Sequence, residues 1–189
     1  MTESSPPQVR RAFLYLFANF LLFGGIATTV GATLPLVIRQ FGWSYLAAGW
    51  MFAGSAAGFF ISTFITGMLL PKLGARKVML VGLVLQSVGI GFFGYSDSLA
   101  LNLMFFVVLG LGQGAVEVTT NVAVVSLEAS GKSRLMNLVH SAFTIGAMAA
   151  PFLAGLLTWM NASWRVVYIV MAVSGACMLA WTWNASWLS

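Results

Sequence analysis

Six apolar runs divide this chain, and the gaps between them are too short to hold a separate domain. The runs extend over roughly Phe13 to Ile38, Tyr45 to Leu70, Val78 to Tyr95, Leu99 to Val125, Leu135 to Leu157 and Trp164 to Trp183. About 20 apolar residues in a helix cross the ~30 Å hydrocarbon core of a bilayer. Within hydrocarbon every backbone N–H and C=O must find a partner inside the segment, so such runs form helices. The expected fold class is an all-α membrane protein of six transmembrane helices. A short segment (residues 1–12) precedes the bundle (residues 13–183), and a short tail (residues 184–189) follows it. The first run is too long for a cleavable signal peptide and leads into no soluble domain. The connections read "RQFGWS", "PKLGARK", "SDS", "EASGKSR" and "TWMNAS". Spans this close in sequence are expected to pack as antiparallel neighbours.

Composition supports the membrane reading. Hydrophobic residues make up 60% of the chain and charged residues 7%, whereas a soluble surface needs roughly a quarter charged residues. The excess of 9 Lys and Arg over 4 Asp and Glu would in a soluble domain point to nucleic acid. Here the bases sit between apolar runs, where they fix orientation, and no nucleic-acid partner is expected. Arg10, Arg11, Lys72, Arg76, Lys77, Lys132 and Arg134 fall on one side, and Arg39 and Arg165 on the other. The first side is therefore expected to be cytoplasmic, with both termini inside. The expected setting is a plasma membrane, the inner membrane of a bacterium. Trp43, Trp159, Trp164, Trp181 and Trp187 near the span ends fit an interfacial belt. Cys177 is the sole cysteine, which excludes an internal disulfide and a CxxC metal site.

Small residues recur at helical spacing, as in Gly54, Ala57 and Gly58, in Gly110, Gly112 and Gly114, and in Gly146, Ala149 and Ala150. Close backbone approach explains most of them. "GLGQG" lies inside a span with no strand before it, so it is no dinucleotide loop. No cofactor or metal is implied.

The polar residues inside the spans are few. On the fourth span Gln113, Glu117 and Asn121 stand at i, i+4 and i+8 with Thr120 beside them. On the fifth, Asn137, His140, Ser141 and Thr144 stand at i, i+3, i+4 and i+7. Each set forms a stripe on one helical face. Hydrogen bonds between helices would account for the neutral members. His140 fits either such a bond or a functional role. Glu117 is harder to explain structurally, because a carboxylate near mid-membrane costs roughly 2.5–3.5 kcal/mol on insertion scales and usually faces a cavity or a proton path.

"GMLLPKLGARKVML" resembles the loop signature between the second and third helices of the major facilitator superfamily. Gly67, Leu69, Lys72, Gly74 and Arg76 match it, and Lys77 follows. Pro71 replaces the Asp of that signature and Ala75 one of its bases. Gly67 is expected to permit close helix approach and Gly74 a tight turn, with the bases holding the gating loop inside. "GAVEVTTN" and "RLMNLVHSAFTIGA" are similar to the fucose–proton symporter branch, on Glu117 and Asn121, then Arg134, Asn137, Leu138, His140, Gly146 and Ala147. The second acid of that branch is missing, since Gly31 stands four residues before Pro35. "GAMAAPFLAG" is similar to the antiporter signature of the fifth helix, with Ala150 replacing its second Gly, so drug–proton exchange is the alternative.

The resemblance implies half of a two-half transporter. A second six-helix half, identical or separate, is the expected partner, with lipid, protons and a small polar, sugar-like solute. It further implies proton coupling at Glu117 and His140, and solute contacts at Gln113, Glu117, Asn121, Asn137, His140 and Thr144. The first, second, fourth and fifth spans would build the cavity, with Thr28, Thr29 and Thr33 as secondary contacts, and the third and sixth would face lipid. An intramembrane serine protease is disfavoured, because Ser174 lacks the expected preceding Gly and lies after His140 instead of before it. A non-transporting assembly subunit is the remaining class.

Overall fold

The computed structural model describes residues 6–128 and 132–188, and among these all regular structure is helical. Residues 1–5 of the expected N-terminal segment and residues 129–131 of the fourth connection lie outside the described residues. The helices are α1 (Pro6–Phe41), α2 (Tyr45–Leu73), α3 (Ala75–Phe92), α4 (Leu99–Leu127), α5 (Arg134–Trp159) and α6 (Arg165–Trp183), followed by a 3-10 turn at Ser186–Leu188. All six long helices have the length and apolarity to cross a membrane. They extend past several of the expected boundaries because polar residues at a membrane surface continue a helix as readily as apolar ones.

Local chemistry sets the helix ends. Ser44 caps α2 by accepting from Ala47 N at 3.1 Å, and Ser98 caps α4 by accepting from Leu101 N at 3.4 Å. Each satisfies a first-turn amide that has no partner within its own helix. At α5, Ser133 makes no such bond. Glu128, preceding that helix, supplies the cap instead, its two carboxylate oxygens accepting from Leu135 N at 2.7 Å and Met136 N at 3.3 Å.

The expected loop "PKLGARK" shrinks to a single residue. Gly74, at φ 79°, separates α2 from α3, a left-handed value that glycine adopts without steric cost. Lys72 belongs to the last turn of α2, while Arg76 and Lys77 belong to the first turn of α3. The tight turn at Gly74 is as expected, but Gly67 does not mediate close approach. It is exposed, and a Cβ there would meet nothing within 4 Å.

The packing order meets the expectation that sequence neighbours pair for α3 and α4 and departs from it for the others. The extensive contacts join α2 to α4, α1 to α5, α3 to α4 and α3 to α6, while α1 with α2 and α5 with α6 touch little. Short connections fix which helix ends adjoin, but small residues decide which faces meet. A Cβ on Gly110 would fall on the carbonyl of Ser55, and one on Gly146 on the carbonyl of Leu21. These two glycines let α4 lie against α2 and α5 against α1.

Both ends of the bundle are fastened through α3 and α6. Arg76, in the first turn of α3, donates through Nη2 to the carbonyl of Trp183 at the end of α6. At the other end Arg165, the first residue of α6, donates to the carbonyl of Gly94 just beyond α3. The two helices are therefore antiparallel, each helix start supplying a cation to the carbonyl end of the other, where the helix dipole favours positive charge.

Aromatic packing corrects part of the interfacial belt. Trp159 and Trp181 are exposed, whereas Trp164 is buried and donates through Nε1 to Gln40 Oε1 at 2.7 Å. Trp43 donates to the carbonyl of Asp97 at 3.3 Å. Trp187 stands edge-on to Tyr15 with ring centroids 5.2 Å apart, and Ala185 and Leu188 are buried, so the segment after α6 packs onto the bundle.

Candidate functional site

One open groove of about 520 Å³ collects the acid, the imidazole and an amide. Its polar lining is Gln113 and Glu117 from α4, His140 from α5 and Ser55 from α2. Its apolar lining is Phe20, Phe23 and Ala27 from α1, Phe52, Ala56 and Phe59 from α2, and Phe143 from α5. Neither α3 nor α6 contributes. The close approach of α2 to α4 and of α1 to α5 at glycines brings these four helices around a common space.

Glu117 is half-buried at the groove wall, and among the described residues no hydrogen bond ties down its carboxyl group. His140 lines the same groove, is exposed, and is near enough to interact electrostatically with Glu117. The His140 ring sits edge-on to Phe20 at 5.1 Å, which orients it from α1. Gln113 is buried, and its Nε2 has no partner among the described residues. The Gln113 side chain, a carboxyl group without a hydrogen bond and an imidazole therefore line one space walled by aromatic rings. Hydroxyl-rich solutes suit such a lining, because their polar edges need hydrogen-bond partners and their C–H faces can lie against rings.

Not every residue of the two stripes reaches the groove. With 3.6 residues per turn, each i, i+4 step turns about 40° around a helix. From Gln113 to Asn121 the drift is about 80°; Asn121 is half-buried, outside the lining, with Oδ1 unpartnered among the described residues. On α5 the groove takes His140 and Phe143. Asn137 and Thr144 lie on the opposite side of His140 from Phe143, turned from that ring by about 100° or more. Both are exposed and outside the lining, and Ser141 donates to the carbonyl of Asn137 at 2.8 Å.

The threonines of α1 are engaged elsewhere. Thr28 donates to the carbonyl of Ala147 at 3.1 Å, Thr29 to that of Gly25 at 2.7 Å, and Thr33 shares a 2.8 Å bond with the Tyr168 hydroxyl on α6. Ser174 lines a different groove from His140, so the two form no dyad. Among the described residues no group of three or more His, Cys, Asp or Glu side chains is placed to hold a metal ion.

The aromatic wall is what sequence reasoning missed. Phe20, Phe23 and Ala27 follow i, i+3, i+7, and Phe52, Ser55, Ala56 and Phe59 follow i, i+3, i+4, i+7. The period was available, but within its span α2 carries only small hydroxyl residues among its apolar ones, and on α1 the polar residues that stood out, Thr28, Thr29 and Thr33, are engaged elsewhere.

The sequence profile of the Major Facilitator Superfamily matches residues 15–186. Over 147 residues the chain is 25% identical to the "Sodium-dependent glucose transporter 1A" of Mus musculus, covering 78% of this chain and 34% of that protein. Over 158 residues it is 30% identical to "Multidrug resistance protein Stp" of Mycobacterium tuberculosis (strain CDC 1551 / Oshkosh), covering 81% and 29%. The solved structure of the proton:xylose symporter XylE superposes with a TM-score of 0.80 at 16% identity, covering 96% of this chain and 45% of that one. Such low identity shows a shared fold. The chain spans between 25% and 36% of the length of curated relatives it matches.

Proposed function

The chain belongs to the Major Facilitator Superfamily, and we propose that it is the N-terminal six-helix half of a secondary transporter that moves a small polar, sugar-like solute with protons. The observation that carries this reading is the convergence of Glu117, Gln113 and His140 on one groove built from α1, α2, α4 and α5. Members of this superfamily close a central site between two six-helix halves. In that role Gln113 and His140 bind solute hydroxyls, and Glu117 alternates between accepting a solute hydrogen bond and holding a proton. Asn121, Asn137 and Thr144, which lie outside the groove of this half, face solute or the opposite half once the two halves meet.

The complement of this half is a second six-helix half, whether continuous with it in one polypeptide, a second copy or a separate chain. The end bearing Arg10, Arg11, Lys72, Arg76, Lys77, Lys132 and Arg134 is cytoplasmic. The turn at Gly74 acts as a gating element, with Lys72 and Lys77 exposed on either side of it. The fucose–proton symporter branch is the specific assignment, supported by Glu117 followed four residues later by Asn121 and by the glucose-transporting relative.

Drug–proton antiport is the second reading. The five phenylalanines of the groove favour it, as do the signature around Gly146 and the name of the mycobacterial relative. The two part in one experiment on the chain co-reconstituted with its second half in liposomes. Saturable, proton-driven accumulation of a labelled monosaccharide supports the sugar reading. Proton-driven export of a lipophilic cation without sugar accumulation would replace it.

A further inference from the structure

On the face of the bundle away from the functional groove, α3 and α6 leave a trough that begins at a basic rim. The rim is a cavity of about 490 Å³ lined by Arg76 and Lys77 with Gly74, Leu80 and Trp183. A second cavity of about 490 Å³ shares Leu80 and Trp183 with it and continues along Val81, Val84, Leu85, Leu179 and Ala180. The two form one path with a cationic mouth and an apolar channel. We propose that this trough is a binding site for one anionic phospholipid, its phosphate at Lys77 and Arg76 and an acyl chain along α3 and α6.

Four observations support that occupant. No carboxylate lines either cavity, so nothing within the site neutralises the two bases. Arg76 donates through Nη2 to the carbonyl of Trp183, which holds its guanidinium at the mouth, while its buried Nε has no partner among the described residues. The N-terminus of α3 opens at the same place, and no side chain caps it, so its first-turn amides are donors to an anion. The depth is also right for a lipid. The helical rise from Arg76 to Leu85 is about 14 Å, close to half of the ~30 Å hydrocarbon thickness, which is the depth of one leaflet. Trp183 is exposed and lines both cavities, so a lipid in the trough lies against its ring. A soluble phosphate would use the mouth alone; only a lipid uses both parts.

The test uses fluorescence of Trp183 in the full chain, in the assembly in which it purifies, reconstituted in phosphatidylcholine. Brominated phosphatidylglycerol or brominated phosphatidylcholine is added, and the Trp183 signal is taken as the difference from Trp183→Phe. The expected result is quenching by the anionic lipid at a concentration on the order of tenfold lower than by the zwitterionic one, since each base near an anionic lipid strengthens binding roughly fivefold. Lys77→Gln should weaken that preference roughly fivefold, and Lys132→Gln should leave it unchanged. Ala180→Phe, which fills the trough without touching the bases, should abolish selective quenching, and soluble glycerol phosphate should not compete. Equal quenching by the two lipids overturns the proposal. So does selectivity that survives Ala180→Phe, falls as much in Lys132→Gln as in Lys77→Gln, or is competed away by glycerol phosphate.

Discussion

Arg165 donates two hydrogen bonds to the carbonyl oxygen of Gly94, from Nε at 3.1 Å and Nη2 at 2.7 Å. The guanidinium lies 4.7 Å from the Trp164 ring centroid and 5.7 Å from that of Phe41. One half-buried cation thus joins the start of α6 to the carbonyl end of α3 and stacks beside the end of α1. Hydrogen bonds to charged groups contribute about 1.5–3 kcal/mol. Arg165→Met should lower unfolding stability in detergent by an amount near the lower end of that range. Arg165→Lys should recover only part of the loss, because an ammonium lacks the planar fork. Full recovery by Lys would show that charge alone matters.

Two glycines of the same sequence type should respond oppositely to alanine. A Cβ at Gly110 would fall on the carbonyl oxygen of Ser55, whereas at Gly67 it would enter open space. Gly110→Ala should destabilise the bundle by about 1–3 kcal/mol through overpacking. Gly67→Ala, in an exposed helix interior, should be neutral or stabilising by up to about 1 kcal/mol. Thermal unfolding of the two variants in one detergent checks this; equal melting shifts would contradict the helix contact assigned to Gly110.

Orientation is testable by cysteine accessibility on a Cys177→Ser background. Asp97 and Ser163 are exposed beyond the ends that carry few bases, and Lys132 is exposed at the basic end. Asn161 is avoided because its φ of 58° disfavours most replacements. Cysteines at Asp97 and Ser163 should react with an impermeant maleimide added outside intact cells, and one at Lys132 should not. The reverse pattern would invert the proposed topology.

Assembly follows from the groove. Left alone, the half opens its groove and the half-buried Glu117 to lipid, at a cost of roughly 2.5–3.5 kcal/mol. Purified material should therefore be a dimer or a complex with a second half. A stable, monodisperse six-helix monomer in mild detergent, measured by light scattering, would contradict this.

The spans were legible because hydrocarbon leaves the backbone no alternative to helix, and Gly74 because its turn needs a left-handed residue. Glu117, Gln113 and His140 were legible as stripes for the same periodic reason. The pairing of α2 with α4 and of α1 with α5 was not. It depends on which glycine meets which carbonyl, as Gly146 meets Leu21, and nothing local to either helix records that. The extent of the groove was also hidden: Asn137 and Thr144 share a stripe with His140, yet the wall turns toward Phe143 instead. Glu128, read only as part of a loop, turned out to cap α5 because Ser133 does not.

The proposed mechanism places a proton on Glu117, and Glu117→Gln isolates it. The substitution keeps the shape and most of the hydrogen bonding but cannot titrate. The measurement is solute accumulation driven by an imposed pH gradient in liposomes holding the complete two-half transporter, beside solute exchange at equal pH. Glu117→Gln should retain exchange and lose gradient-driven accumulation. Undiminished accumulation by Glu117→Gln would contradict the mechanism and leave this carboxyl group a structural donor between helices.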